Sequence, residues 1–390
     1  MPSRQQSVLI LCSLLVAVTA VQELGAAPPL RITELSFDRD VQTVNVTFTS
    51  VPGIEYAIDT STDLIDWSEA LASSINGGAG APTSVDDLVL PIPASERRFI
   101  RVRQIPPYIE MMPVGDPGND PDFTGFDDPV GAVDYSYRIG SFEVTNDQYA
   151  EFLNAVAAQD NNALYDTNMD TSAEGGITRS GESPTFSYAV KPDMGAKPVI
   201  YVSWYDALRF CNWLHNGRPT GAQSGDTTEG GSYTLTGVTS VAEGTDPIHG
   251  ANGRNVGARF HLPSEDEWHK AAYHEPGASE DDYWDFATRS DEDPALDVPP
   301  GGTNSANYDT VVGALTDVGA YPDSASFYGT FDQGGNVLEW TEQTSEDIGV
   351  VRGLRGGAWF TDSGTLRSSY RDIGNPTRGG GGIGFRVASP

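Results

Sequence analysis

The sequence predicts an irregular α+β domain preceded by a small all-β sandwich, and three observations carry that reading. Short alternating polar and apolar segments occupy the first hundred positions, three capping-box signatures fall in the middle of the chain, and glycine and turn residues fill much of the rest. At 390 residues the chain is longer than one core usually holds. A division into 28–104 and 105–390 is therefore expected, behind a leader at 1–27.

The leader reads as a signal peptide. Arg4 precedes an apolar run at 8–20 that is short for a bilayer span, and small residues follow at Ala17-Val18-Thr19-Ala20 and Gly25-Ala26-Ala27. Cleavage there gives a secreted protein, extracellular or periplasmic, with no stable membrane span; an uncleaved anchor is the alternative. Removal of Cys12 leaves Cys211 as a lone cysteine, so no internal disulfide is expected.

In 28–104, the segments Val44-Asn45-Val46-Thr47-Phe48-Thr49, Tyr56-Ala57-Ile58-Asp59 and Phe99-Ile100-Arg101-Val102-Arg103 alternate with period two. Pro-Gly and Gly-rich punctuation between them predicts antiparallel strands packed as a sandwich. Gly53-Ile54-Glu55-Tyr56, Ser61-Thr62-Asp63-Leu64-Ile65-Asp66-Trp67 and Arg98-Phe99-Ile100-Arg101-Val102 together resemble fibronectin-like modules of exported bacterial proteins, which implies a spacer or adhesion unit. Residues 105–134, rich in Pro, Gly and Asp, predict a boundary and a long entry loop.

In 105–390, Thr145-Asn146-Asp147-Gln148 predicts a helix start running through Phe152 and Val156. Ser203 to Asp206 predicts a second, with Trp204, Leu208, Cys211 and Leu214 on one stripe, which makes Cys211 a small buried hydrophobe. Ser264 and Glu267 open a third. The polar insertions at 160–194 and 217–254 are expected to be surface loops, where binding specificity usually resides.

Charge narrows the partners. With 23 basic against 55 acidic residues, net -32, the chain repels nucleic acid and anionic membrane, and divalent cations are the natural counterions. Most of the acids need do no more than keep an exported protein soluble.

Five ordered segments carry a family resemblance. They are Ile139-Gly140-Ser141-Phe142-Glu143-Val144-Thr145-Asn146, Pro198-Val199-Ile200-Tyr201-Val202-Ser203-Trp204, Phe260-His261-Leu262-Pro263-Ser264-Glu265-Asp266-Glu267-Trp268, Gly335-Asn336-Val337-Leu338-Glu339-Trp340, and Arg355-Gly356-Gly357-Ala358-Trp359 leading to Gly384-Phe385-Arg386-Val387. Together they resemble the formylglycine-generating, or sulfatase-modifying factor, family over 105–390. The resemblance implies a compact fold related to C-type lectins. It also implies two copper-binding cysteines just beyond Arg-Gly-Gly, which in those enzymes oxidise a substrate cysteine with oxygen.

Here that stretch, Phe360-Thr361-Asp362-Ser363-Gly364-Thr365-Leu366-Arg367-Ser368-Ser369-Tyr370, contains no cysteine, and soft thiolates are what copper(I) requires. Ala358 stands where the family commonly has serine, and Leu338 where it commonly has tryptophan. Copper chemistry and a catalytic residue are therefore not expected. The Gly-Gly pair after Arg355 and the run at 379–384 suit tight turns and close packing as readily as ligand contact.

The resemblance further implies structural calcium. Asp332 and Glu339 carboxylates with Gly335 and Val337 carbonyls match one family site, and Asn307 and Tyr308 begin a second whose remaining ligands are unassigned. Hard oxygen donors of this mixture suit calcium. Iron is not expected: His215, His249, His261, His269 and His274 include no His-x3-His-x-Glu arrangement, and surface or helix-capping roles are their ordinary explanation. Phosphate loops, nucleophile elbows and His-Glu-x2-His zinc helices are absent from the sequence.

Two functions remain in view. One is a non-catalytic, calcium-stabilised binding protein for a glycan or protein ligand, with a groove lined by Trp359, Arg367, Tyr370, Arg371 and Arg386. Planar cations beside flat rings make such surfaces; for Arg386 and Trp359 a role inside the glycine-rich core is the competing reading. The other is an oxidoreductase of the formylglycine-generating and non-haem-iron superfamily, acting through different residues.

Overall fold

The computed structural model describes residues 31–38, 43–50, 55–61, 69–76, 82–89, 99–104, 108–125, 129–239, 253–277, 282–344 and 351–390. The leader, residues 62–68 with Trp67, and His249 lie outside them. The chain divides into two compact units, Met1–Tyr108 and Ile109–Pro390.

Among the described residues the first unit holds six strands: β1 (Ile32–Asp38), β2 (Thr43–Phe48), β3 (Glu55–Ser61), β4 (Glu69–Asn76), β5 (Thr83–Val89) and β6 (Phe99–Gln104). They form two antiparallel three-stranded sheets, β1-β2-β5 and β4-β3-β6. Alternation decides which residues meet. Val44, Val46 and Phe48 from one sheet and Tyr56, Ile58, Ile100 and Val102 from the other share one apolar cluster.

The second unit opens with β7 (Met111–Val114) and β8 (Tyr137–Gly140) and continues through α1 (Asn146–Val156), α2 (Asn168–Thr171), β9 (Ile177–Ser180), β10 (Ser187–Val190), α3 (Trp204–His215) and α4 (Glu265–Tyr273). It ends with β11 (Leu338–Thr344), β12 (Arg352–Arg355), a 3-10 turn (Ser363–Leu366), β13 (Asp372–Gly374), β14 (Ile383–Gly384) and β15 (Ala388–Ser389). Few helices and many short strands make it a mixed α/β fold. Among the described residues no helix is long and apolar enough to cross a membrane.

The long helices begin where side chains can satisfy their free N–H groups. Thr145, Ser203 and Ser264 each cap the backbone N–H three residues on, and Gln148, Asp206 and Glu267 reach back to complete the box. On α1 and α3, Tyr149, Phe152, Phe210 and Trp213 interlock with Phe385, ring centroids 5.3–6.1 Å apart. Each such buried ring contributes about 1.5–3 kcal/mol of transfer free energy. Cys211 is buried on the same helix.

The last strands stitch the unit closed. β15 pairs with β8, the order β15-β8-β7 forming one sheet, while β13-β12-β11-β14 forms another with β11 and β14 parallel. Val144 N donates to Phe385 O at 2.9 Å, Gly140 N to Val387 O at 2.8 Å and Val199 N to Val144 O at 2.9 Å. Four of the five motif segments therefore meet around Phe385 and Arg386.

Two expectations change. The described residues of 108–125 and 129–134 are not a loose entry loop: Asn119 binds Tyr283 and Gly131, Asp122 binds His269, and Asp266 of α4 receives Gly131 N at 2.8 Å. The 217–238 part of the second insertion is folded onto α3. Arg209 grips Glu229 at 2.7 and 2.9 Å, and Asn212 and Asn216 donate to carbonyls of Thr228, Tyr233, Thr227 and Gly230. Its buried polar residues, Thr227, Thr228, Glu229 and Ser232, lie in the part that hydrogen-bonds to the helix, while the rest of the segment is largely exposed.

Candidate functional site

The segment after β12 is shaped by two glycines. Gly356 and Gly357 have φ of 97° and 72°, and a Cβ would come within 2.8 Å of Gln333 O at the first and 2.6 Å of Thr365 Oγ1 at the second. Backbone conformation and packing both exclude a side chain. The turn delivers Trp359 and Phe360, with ring centroids 5.3 Å apart, to the surface; Phe360 is exposed.

Beyond them, in the stretch where the enzymes carry cysteines, Thr361 and Thr365 hydroxyls lie 2.6 Å apart. Ala358 N donates to Thr361 Oγ1 at 2.9 Å, so the hydroxyls serve the turn itself. Alcohols at these positions offer neither a soft ligand nor a ready electron donor.

The four surface candidates lie along this segment. Trp359 is half-buried and packs with Tyr201 against Ile200, Leu315 and Val337. Arg367 binds Asp285 at 2.7 Å and Asp293 at 3.0 Å and lies over the Phe286 ring. Tyr370 is half-buried, its carbonyl accepts Arg355 at 2.7 Å, and desolvation raises its phenol above the ordinary value. Arg371 holds Glu265 at 2.9 and 3.1 Å, and Arg355 takes the same carboxylate at 2.7 Å. Both guanidinium groups on this face are thus already paired.

Arg386 does not line a groove. It is 0% exposed, donates to Glu339 at 2.7 and 2.7 Å and to the carbonyls of Gly140, Ser141 and Phe331 at 2.9, 3.2 and 2.8 Å. Its five N–H groups are consumed inside the unit. The competing core reading was correct for Arg386.

That geometry also bears on calcium. Glu339 is 0% exposed, and its oxygens are taken by Arg386 and by Trp268 Nε1 at 2.8 Å, so its carboxylate does not fit as a free cation ligand. Asp332, Gly335 and Asn336 adopt left-handed backbone with φ of 59°, 93° and 57° and form a tight loop. Gly319 N donates to Asp332 Oδ2 at 2.6 Å. Desolvation, opposed by that bond and by Arg386, leaves Asp332 pushed up to about 6.

Asn307 fits a hard cation better. Its Nδ2 binds Ala314 O at 2.9 Å while its Oδ1, inside the protein, has no partner. The Tyr308 phenol is spent on Pro294 O, which leaves only its carbonyl. Among the described residues no three His, Cys, Asp or Glu side chains are grouped to hold a metal. A cation here would draw on one or two carboxylates and neutral oxygens.

Three of the described histidines are buried, whereas His215, in the last turn of α3, is partly exposed. His261, His269 and His274 are 1%, 0% and 2% exposed, and desolvation lowers all three, His261 and His269 to about 4. His269 binds Asp122 at 2.9 Å and His274 binds Tyr328 at 2.9 Å. They fasten α4 to its surroundings.

Sequence reasoning missed Glu143, Glu265, Trp268 and Arg254. Arg254 joins Glu267 at 2.6 Å and Glu342 at 2.8 Å, with Tyr135 and Tyr233 on the same carboxylates. Burial raises Glu342 to about 7, Arg254 and Tyr233 opposing it; in Glu267 burial is overcome by Arg254 and His261, which hold it at about 2. A charged residue inside an otherwise apolar motif, as Glu143 is, was the signal available.

Comparison with known proteins places this geometry. The sequence profile of the sulfatase-modifying factor enzyme 1-like domain matches residues 127–390. The hercynine oxygenase of Mycobacterium tuberculosis is 24% identical over 284 residues, 67% of this chain and 54% of that protein. The hercynine oxygenase of Mycolicibacterium smegmatis is 25% identical over 363 residues, 84% of this chain and 69% of that protein. The alignment with the first spans about half that relative's length. The crystal structure of CarF aligns with a TM-score of 0.44 at 22% identity, covering 72% of this chain and 98% of that chain.

Proposed function

Because the chain belongs to the sulfatase-modifying factor enzyme 1-like domain family through residues 127–390, we propose that it uses that family's scaffold as a non-catalytic binding protein. The observation that carries this reading is the Thr361–Thr365 hydroxyl pair in the thiol-free stretch after Arg-Gly-Gly, which follows the exposed Phe360 in the chain. Rigid aromatic groups beside paired charges suit recognition, because little side-chain freedom is lost on contact. The ligand class is a glycan or a protein segment, and calcium is a structural cofactor of the 331–339 loop.

In the same reading residues 1–27 direct export, the two sheets of 31–104 pack as a sandwich that acts as spacer or adhesion module, and the larger unit keeps the lectin-related form of its family. Binding of the mature protein to a glycan array or peptide library, reduced at least severalfold by Trp359→Ala or Phe360→Ala, supports the proposal. Retained binding in the double variant removes this face as the site.

The relatives' name supports a second reading, an oxygenase or oxidase using other residues. Metal analysis separates the two: calcium alone accords with binding, and stoichiometric iron or copper with redox catalysis.

A further inference from the structure

Both polar insertions of the second unit contribute to one pocket of about 320 Å³, within the size range of small-molecule sites. The end of α1 lines one part of it, and the turn at 158–161, Pro184 and residues 221–223 line the rest. These segments are tied to one another. Gly221 N donates to Ala155 O at 2.9 Å, Phe186 N to Ala158 O at 3.0 Å, and Asn162 N to Gln223 Oε1 at 2.8 Å. Asn154 of α1 donates to Tyr188 O at 2.9 Å and accepts Tyr188 N at 3.0 Å. A pocket held this way loses little freedom when a ligand enters.

The lining groups select the occupant. Asp160 Oδ1 accepts Leu164 N at 2.8 Å and Gln223 Nε2 at 3.4 Å, while Oδ2 accepts Tyr165 N at 3.3 Å and pairs with Arg179 at 3.5 Å. Arg179 in turn lies over the Tyr165 and Phe186 rings, 4.6 and 4.4 Å from their centroids. That carboxylate and that guanidinium are spent, which leaves an ionic ligand little to pair with. Gln159 and Asn161 differ: both are exposed, and among the described residues neither side-chain amide meets a protein partner. A primary amide donates and accepts at once, as a hydroxyl does. Ala158, Pro184 and Ala222 add small apolar contacts of the kind that suit the C–H face of a sugar ring.

We propose that this pocket is a second ligand site, which takes one neutral, polyhydroxylated sugar residue of a glycan. The Gln159 and Asn161 amides meet its hydroxyls, and Asp160 holds the turn that carries them. The site shares no residue with the Trp359 and Phe360 face and stands or falls separately from it.

The test titrates the full chain with methyl glycosides of glucose, galactose, mannose and N-acetylglucosamine, whose blocked anomeric carbon copies the end of a glycan. Saturation-transfer NMR and calorimetry read the binding. At least one glycoside is expected to bind with a roughly millimolar Kd, as befits so small a ligand. Ala222→Phe, at an exposed position, fills the pocket and is expected to abolish that binding with the melting temperature unchanged. Gln159→Ala combined with Asn161→Ala is expected to weaken it about fivefold or more through the lost hydrogen bonds, and carries the test if Ala222→Phe does not fold.

No binding by any of these glycosides, or wild-type affinity in the pocket variants, overturns the proposal. Peptide-library binding that Ala222→Phe removes, with no glycoside bound, overturns the sugar assignment. Glycoside binding that survives the pocket variants and is lost in Phe360→Ala overturns this site and leaves the Phe360 face standing.

Discussion

In the first unit, Val46, Phe48 and Ile58 are 0% exposed and belong to a single apolar cluster, whereas the deepest side chains of the second include Arg209, Arg355 and Arg386 beside its tryptophans. The contrast follows from backbone accounting. Paired strands satisfy their own N–H and C=O groups, so a small sheet pair needs only apolar area to hold together. The larger unit runs through long irregular connections whose carbonyls need donors, and a guanidinium supplies five in one plane. Arg386 meets three carbonyls and Arg355 two, each while paired with a glutamate. Arginine there replaces missing secondary structure.

Removing such an arginine should produce the largest effect. Arg386→Met leaves Glu339 buried and unpaired, and the second unit is expected to lose about 3–5 kcal/mol in denaturant unfolding. A shift below about 1 kcal/mol would show that the ion pair is not what distinguishes the units. Next comes Ile58→Ala, expected to cost about 2–4 kcal/mol through a cavity in the first unit's cluster and to leave the second unit's transition in place. If both transitions move together, the two cores are not independent.

Acid offers a smaller and more selective probe. Glu267 sits at about 2 when folded, below the ordinary carboxylate value, so its contribution is present above about pH 4.5 and lost as pH falls toward 2. His261, lowered to about 4 from an ordinary value near 6.5, adds a loss that begins as pH falls below about 6.5 and is complete near 4, because it folds neutral and must charge. Glu342 runs the other way: raised to about 7, it favours the folded state below its unfolded value and loses that contribution as pH rises through 7. The second unit's melting temperature should therefore fall below pH 4.5, while from about pH 5 to 6.5 the Glu342 and His261 contributions oppose each other and only Glu342 softens the unit above pH 6.5. A flat profile would contradict the charge assignments around Arg254. Smallest of all, Arg367→Ala removes a partly exposed pair with Asp285 and Asp293 and should cost about 0.2–1 kcal/mol, less in high salt.

Local rules were the legible ones. A cap and its partner lie three residues apart, so Thr145, Ser203 and Ser264 could be read directly, and the strand alternation at Val44 to Phe48 depends only on neighbours. The five ordered motifs identified the family scaffold of the larger unit, now matched over 127–390. What remained hidden depends on distant pairings. Arg386 finds Glu339 across 47 positions and Gly140 across 246, and the local pattern, which admits a core role for it, names neither partner. The same holds for Glu339, which its motif presents as a cation ligand and its fold turns toward a guanidinium. Surface or helix-capping roles are the ordinary expectation for histidine: His274 meets the second at the C-cap of α4, while an aromatic neighbour or a fixed acceptor holds His269 and His261 inside.

The proposed separation of scaffold from reaction rests on the thiol-free turn at Thr361 and Thr365, and one measurement tests it most directly. The purified protein is incubated with copper, oxygen and a sulfatase-type cysteine peptide, and the peptide mass is followed. The account expects the cysteine to survive unchanged. Conversion to formylglycine, abolished by Thr361→Ala or Thr365→Ala, would contradict it.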